Sequence, residues 1–305
     1  MSIVIRPVNF IELKVYFGGS AFYALRNFAL MCACARDSIF ALFEEDRPAA
    51  AIVLLKPLPG ANVIELSYIA TEEGKRRKGY ATRLVEHAGR YAKDIGLKLT
   101  ARLRAGGENT DALKKILERA GFVKTDTAHI FRCSLDDPTE LTWRQTMALF
   151  ADKLCAWLER KGFSTVSFKD ADPGLKESAL KEQQSGFQSG YGHMMLAGGA
   201  RGVFLEEYSF ITAINGAPAA LTMLIEGDAG SVIFQLITAA EKYQSAGVIL
   251  LPIVHSMDKL FLSDYRTVYY CIFDSNERMH RLARQIFDNL TVKEVLQVCY
   301  CLDRR

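Results

Sequence analysis

The residues of this chain whose types and spacing most plainly suggest chemistry lie in the run Gly74-Lys75-Arg76-Arg77-Lys78-Gly79, four cations within six residues. The residues after this run decide which anion the cations could meet. Ala81, Leu84, Val85, Ala88 and Ala92 recur at helical spacing, so the pattern predicts a helix starting just after Gly79. A helix N-terminus leaves about four backbone N–H groups without intrahelical partners and carries partial positive charge. Gly79 lets the backbone curl close to a bound group, the small Ala81 avoids crowding it, and Lys75, Arg76, Arg77 and Lys78 can screen negative charge. A pyrophosphate fits such a turn. The competing reading is a nucleic-acid or localisation patch.

A second candidate is Glu65, set between Ile64 and Leu66 on an apolar, strand-like run. A partly buried carboxylate there suits general-base work on an attacking group. Among the five histidines, His193 and His255 stand beside apolar residues and read as packed side chains; the other three have no partner at a telling spacing. Seven cysteines without a CxxC pair read as reduced core thiols. Cys32/Cys34 and Cys299/Cys301 each share a strand face, but no further ligand pair lies nearby in sequence, so no metal site is expected.

The elements that must position these residues can be read from periodicity. Ile39 to Phe43 and Ala49 to Leu55 are strand-like and joined by the polar turn Glu44 to Pro48, which predicts a hairpin. Val63 to Thr71 is a further strand leading into the cationic turn. Leu97, Leu99, Ala101 and Leu103 alternate with polar residues, and Ala112, Leu113, Ile116, Leu117 and Ala120 form a second helical stripe, with Asn109 before it and Gly121 after it. Phe122 to Thr125 and His129 to Leu135 supply closing strands.

The same order recurs. Ile69-Ala70-Thr71 through Gly79 overlays Ile237-Thr238-Ala239 through Gly247 without a gap, Pro48-Ala49-Ala50 matches Pro218-Ala219-Ala220, and Asn109 matches Asn276 after one residue of slippage. The chain therefore reads as a duplication, divided at the polar, proline-containing segment near Asp136 into residues 1–137 and 138–305. In the second copy the four cations become Tyr243-Gln244-Ser245-Ala246, Ala81 becomes Ile249, Glu65 becomes Ile233, and Pro252 comes soon after Gly247. A ligand bearing several phosphate charges would lose its counter-charges there. The second copy reads as degenerate.

The order strand, Arg76-Arg77-Lys78-Gly79-Tyr80-Ala81, helix resembles the signature of the GNAT (GCN5-related N-acetyltransferase) superfamily: Gln or Arg, two residues, Gly, one residue, then Gly or Ala. The resemblance spans Ile3 to Leu135 and, more loosely, the second half. It implies two mixed, mostly antiparallel α/β (α+β) domains flanked by helices, binding acetyl-CoA and transferring its acetyl group to a primary amine of a small molecule or peptide. It further implies cofactor contacts from Ile69, Ala70 and Thr71, from Arg76 through Thr82 (including Gly79, Tyr80, Ala81 and Thr82), and from Asn109, whose other reading is a helix cap. Glu65 lies where relatives similar to histone acetyltransferases carry their base. One departure stands out, since Leu117 occupies the place where many members carry a tyrosine to protonate the leaving thiolate. A non-catalytic acyl-CoA-binding sensor or scaffold is the alternative.

Composition agrees with a folded chain. At 305 residues and 50% apolar content two domains are the default, and a net charge of +3 argues against nucleic acid as partner. No stretch of about 18 uninterrupted apolar residues and no secretory start is present, so the expectation is a cytoplasmic protein without a membrane partner, monomeric or homodimeric.

Overall fold

The computed structural model describes residues 2–9, 12, 38–55, 62–106, 109–186, 203–227, 230–287, 290 and 292–302. The expectations concerning Cys32/Cys34 and His193 lie outside the described residues. The chain forms two compact units, Met1–Thr127 together with Leu296–Arg305, and Ala128–Val295.

In the first unit, β1 (Ile3–Pro7), β2 (Ser38–Glu44), β3 (Arg47–Leu55) and β4 (Val63–Thr71) form an antiparallel succession. Glu45 and Asp46 form a two-residue β2–β3 turn with φ of 50° and 62°, the left-handed geometry that matches strand twist. Helix α1 (Tyr80–Asp94) then carries the chain across to β5 (Lys98–Arg104), which pairs with β4 in parallel. A parallel neighbour requires such a crossover. Helix α2 (Thr110–Arg119) comes next. The apolar stripe of α1 packs with Leu42, Ile52, Ile64 and Leu99 in one core.

The second unit repeats this plan. Strand β6 (Val123–Ser134) is continuous where sequence patterning predicts two closing strands, because Ala128 to Ser134 run in unbroken register along a later strand, Phe273 to Thr267. Helices α3 (Asp137–Phe150) and α4 (Asp152–Arg160) come after it. Pro138 starts α3 instead of breaking it, since Asp136 caps the Thr139 N–H at 3.0 Å and a proline in the first turn removes no intrahelical bond. Next come β7 (Phe163–Ser167), α5 (Pro173–Gly186), β8 (Phe210–Ile214), β9 (Ala217–Glu226), β10 (Ser231–Ala239), α6 (Leu250–Phe261), β11 (Thr267–Phe273) and α7 (Glu277–Phe287). The unit's strand order is β6-β11-β10-β9-β8-β7, and β10–β11 is its parallel pair.

The last strand, β12 (Val292–Leu302), returns its C-terminal part to the first unit. Gln297 to Leu302 pair antiparallel with Arg104 to Leu99 of β5, and Tyr300 and Leu302 join the first unit's core. Gly89 of α1 makes room, as a Cβ there would stand 2.9 Å from the Leu302 Cδ2. Cys133, Cys155, Cys271, Cys299 and Cys301 are not joined in disulfides among the described residues. Among the described residues no helix is long and apolar enough to cross a membrane.

Candidate active site

The site begins where β4 parts from β5. Their ladder runs Val63↔Lys98 to Leu66↔Ala101 and stops there, although both strands continue. The register against β3 explains the parting, since Tyr68 faces Val53 and Leu66 faces Leu54, which leaves Ser67 as an extra residue. A bulge of this kind bends its strand and raises local twist. The Glu72 N–H donates to the Ala49 carbonyl at 2.9 Å, so alternation turns the backbone of Ile69 and Thr71 toward the opposite edge, that of β5. The result is a cleft with exposed backbone donors and acceptors along one wall.

At the end of β4 a short 3₁₀ turn, Glu73–Lys75, leads into the cationic run. Arg77 (φ 65°) and Gly79 (φ 78°) adopt left-handed conformations, and α1 starts at Tyr80. Among the described residues, the first backbone N–H beyond Arg76 to find a backbone acceptor is that of Arg83, on the Gly79 carbonyl at 3.1 Å. The N–H groups of Arg77 to Thr82 thus cluster at the positive end of a fifteen-residue helix. A Cβ built on Gly79 would meet nothing within 4 Å, so the space in front of the turn is open.

The four cations divide into two pairs. Lys75 and Lys78 bind the carboxylate of Glu44, the latter at 3.2 Å, and the Tyr80 hydroxyl donates to the same carboxylate at 2.5 Å. Glu44, at the end of β2, is only 2% exposed. The Lys75 ammonium, followed by the Tyr80 hydroxyl and Lys78, holds its carboxyl down to about 2 against the opposing effect of burial. The Tyr80 hydroxyl is pushed up to about 12, chiefly by Glu44. Arg76 and Arg77 are exposed and form no ion pair among the described residues. Glu44 is a member of the site that sequence reasoning missed; it was visible only as one acid in a hairpin.

Glu65 is 8% exposed, and the Arg102 guanidinium grips it with two hydrogen bonds, Nε to Oε1 at 3.1 Å and Nη2 to Oε2 at 2.7 Å. Because Glu65 lies opposite Thr100, Arg102 two residues on shares its face, just beyond the last β4–β5 rung. The bulge brings Tyr68 onto that face as well, and burial pushes its hydroxyl above the usual phenol range. Asn109 precedes α2 but makes no capping bond through its side chain, whereas Asn276 does cap α7, accepting from the Met279 N–H at 3.2 Å. Leu117 is buried in the core.

The second unit keeps the cleft and changes the turn. Its β10–β11 ladder stops at Ile233↔Tyr269, Gln235 is the extra residue, and the Ala240 N–H donates to Ala219 as Glu72 does to Ala49. The positions answering Glu44, Lys75, Lys78 and Tyr80 are Ile214, Tyr243, Ala246 and Val248, and these four pack together in an apolar cluster with Leu158 of α4. A polar anchor has been exchanged whole for an apolar one. Helix α6 starts at Leu250, two residues later than α1 would predict, with Pro252 in its first turn. Gly247 keeps a left-handed φ of 71°, yet a Cβ there would stand 2.9 Å from Leu154 Cδ2, so α4 covers the turn.

Comparison with known proteins bears on both units. Residues 12–122 match the family model described as Acetyltransferase (GNAT) family. No curated protein sequence matches the chain. Solved structures with a similar fold include a tandem GNAT protein from the clavulanic acid biosynthesis pathway, at 13% identity and TM-score 0.64, covering 99% of this chain and 98% of that one. A GCN5-related N-acetyltransferase from Sphaerobacter thermophilus is similar at 13% identity and TM-score 0.65, over 98% and 95%. The glucosamine N-acetyltransferase region of a fungal multi-domain β-N-acetylglucosaminidase is similar at 11% identity and TM-score 0.69, over 98% of this chain and 38% of that one.

Proposed function

We propose that this chain, whose residues 12–122 match the GNAT acetyltransferase family, transfers an acetyl group from acetyl-CoA to a primary amine, using the cleft of its first unit. In this reading the diphosphate takes the N–H groups of Arg77 to Thr82, with Arg76 and Arg77 as its counter-charges. Lys75, Lys78 and Tyr80 hold the turn in shape through Glu44. The pantetheine arm lies along the backbone of Ile69, Ala70 and Thr71, extending β4 on its open edge, and Asn109, whose amide is not used as a cap, contacts the cofactor from the start of α2.

The amine nitrogen attacks the thioester carbonyl, a C–N bond forms, and the C–S bond breaks. Glu65 takes the proton lost from nitrogen, once the Arg102 fork shifts from one of its oxygens. The departing CoA thiol has an ordinary pKa of about 8.5, so its thiolate leaves without a strong acid at the position of Leu117. In this reading the sequence repeats divide at 137/138, and the second repeat is degenerate.

The observation that carries this reading is the contrast between two matching turns, one open at Gly79 and one covered by Leu154 at Gly247. Calorimetry with acetyl-CoA tests it. Arg76→Ala should weaken binding at least about tenfold, the loss expected for one charge-assisted hydrogen bond. Gly79→Trp, which forces a bulky side chain into a left-handed position facing the ligand, should abolish it, while Gln244→Ala should change little. The reverse order would transfer the site to the second unit.

A second reading, an acyl-CoA-binding sensor, is favoured by the Arg102 fork and by Leu117. A thiol-release assay with polyamines, aminoglycosides, amino acids and peptides separates the two, since saturable binding without release supports the sensor.

A further inference from the structure

The second unit contains a cluster that acyl transfer leaves unused. His129 on β6, Asp274 just past β11, His280 on α7 and Glu294 on β12 converge from positions up to 165 residues apart. One ligand atom each from His129, Asp274 and His280 lies within 4.8 Å of the others. These three line a cavity of about 410 Å³ with Glu277, Arg281 and Arg284. The expectation from sequence that these histidines stand alone is thereby corrected; nothing local announces the cluster, because each member lies on a different element.

Two features of the cluster call for a cation. Both ring nitrogens of His129 face carboxylates, Nε2 at 2.5 Å from Asp274 Oδ1 and Nδ1 against Glu294 Oε1. A neutral imidazole has one N–H to donate, so the other carboxylate is served either by a second ring proton or by a cation held between Nε2 and Asp274. In addition, His280 Nε2 is buried and has no hydrogen-bond partner, the one such side-chain atom among the described residues. Buried polar atoms are normally satisfied, and leaving one orphaned is costly. The His280 ring stands edge-on to His129 with centroids 4.9 Å apart. A metal ion between them answers both demands.

We propose that His129 Nε2, His280 Nε2 and a carboxylate oxygen of Asp274 bind a divalent transition-metal ion of the zinc class. Two imidazoles with one carboxylate suit such ions better than magnesium or calcium, which prefer oxygen ligands. Glu294 holds the Nδ1–H of His129, the outer carboxylate that fixes tautomer and orientation at many histidine–metal sites. Bonds of about 2.0–2.1 Å put tetrahedral ligands about 3.4 Å apart, so His129 Nε2 and Asp274 Oδ1 part by about 1 Å on binding. Asp274 is 55% exposed. Arg281 and Arg284 share the cavity and favour an anion or polarised water in the fourth position.

The test strips the full-length chain with a chelator and titrates it with Co²⁺. One equivalent should bind with visible d–d absorption, and Zn²⁺ should displace it. His280→Gln and Asp274→Asn should each lower Co²⁺ affinity about 100-fold, and Glu294→Gln about 10–100-fold, as loss of an outer carboxylate does elsewhere. His255→Gln, remote from the cluster in sequence and on α6, should leave affinity unchanged. Far-UV circular dichroism of each metal-free variant must match the parent, and His280→Ala replaces any that does not. Absence of Co²⁺ uptake, or uptake indifferent to the His280 and Asp274 substitutions, overturns the proposal and leaves His129 as an imidazolium donating one N–H to each carboxylate.

Discussion

Glu65 illustrates how much a single residue's role depends on what grips it. Its strand position and apolar neighbours mark it as a candidate base, and both features are local. The Arg102 fork is not local, and it offers a structural role for the same carboxylate. The two roles predict different kinetics. If Glu65 accepts the amine proton, Glu65→Gln should lower kcat by about 10²–10⁴-fold with little change in acetyl-CoA affinity, because the amide keeps the shape and loses the base. Stopped-flow or steady-state thiol release with a reactive amine, beside calorimetric Kd values, measures both. An unchanged kcat would assign Glu65 to architecture alone.

At the scale of elements, the β2–β3 hairpin and the start of α1 are joined by Glu44, whose carboxylate gathers Lys75, Lys78 and Tyr80. The pH dependence comes from the signs of two shifts. Glu44 titrates near 2 in the folded chain against an ordinary 4.5, so its stabilisation is complete above about 4.5 and is lost as pH falls toward 2. Tyr80 titrates near 12 against an ordinary 10, so its share is complete below 10 and is lost as pH rises toward 12. Urea unfolding of the parent and of Glu44→Gln should therefore differ by a constant amount between about pH 4.5 and 10, converge as pH falls toward 2, and narrow as pH rises toward 12. A gap that persisted at pH 2 would show that the ion pairs are not its source. The Gly79 turn itself was legible in the sequence, since glycine, small residue and helical stripe are neighbours along the chain. Its division into two structural and two free cations was not, because Glu44 lies 31 and 34 residues from the lysines it binds.

On the scale of the whole molecule, the first unit is completed by the last strand of the chain. Tyr300 and Leu302 are 4% and 5% exposed in its core, and burying each contributes about 1.5–3 kcal/mol, against a typical domain stability of about 5–15 kcal/mol. Truncation to residues 1–295 should therefore abolish acetyl-CoA binding and broaden thermal unfolding, although it removes no residue of the turn. Calorimetry on the truncated chain decides the point; an unchanged Kd would mean that the first unit stands without β12. What the sequence determined alone was the repeated order of elements, both hairpins and the cationic turn before α1, for these arise from period-two and period-3.6 patterning and from residues that tolerate positive φ. Tertiary structure decided which charges are free, what holds Glu65, that Leu154 covers the second turn, that two histidines meet a carboxylate, and that β12 pairs with β5. Each of these depends on a partner distant in sequence, and distance along a chain carries no information about proximity until the sheet brings the strands together.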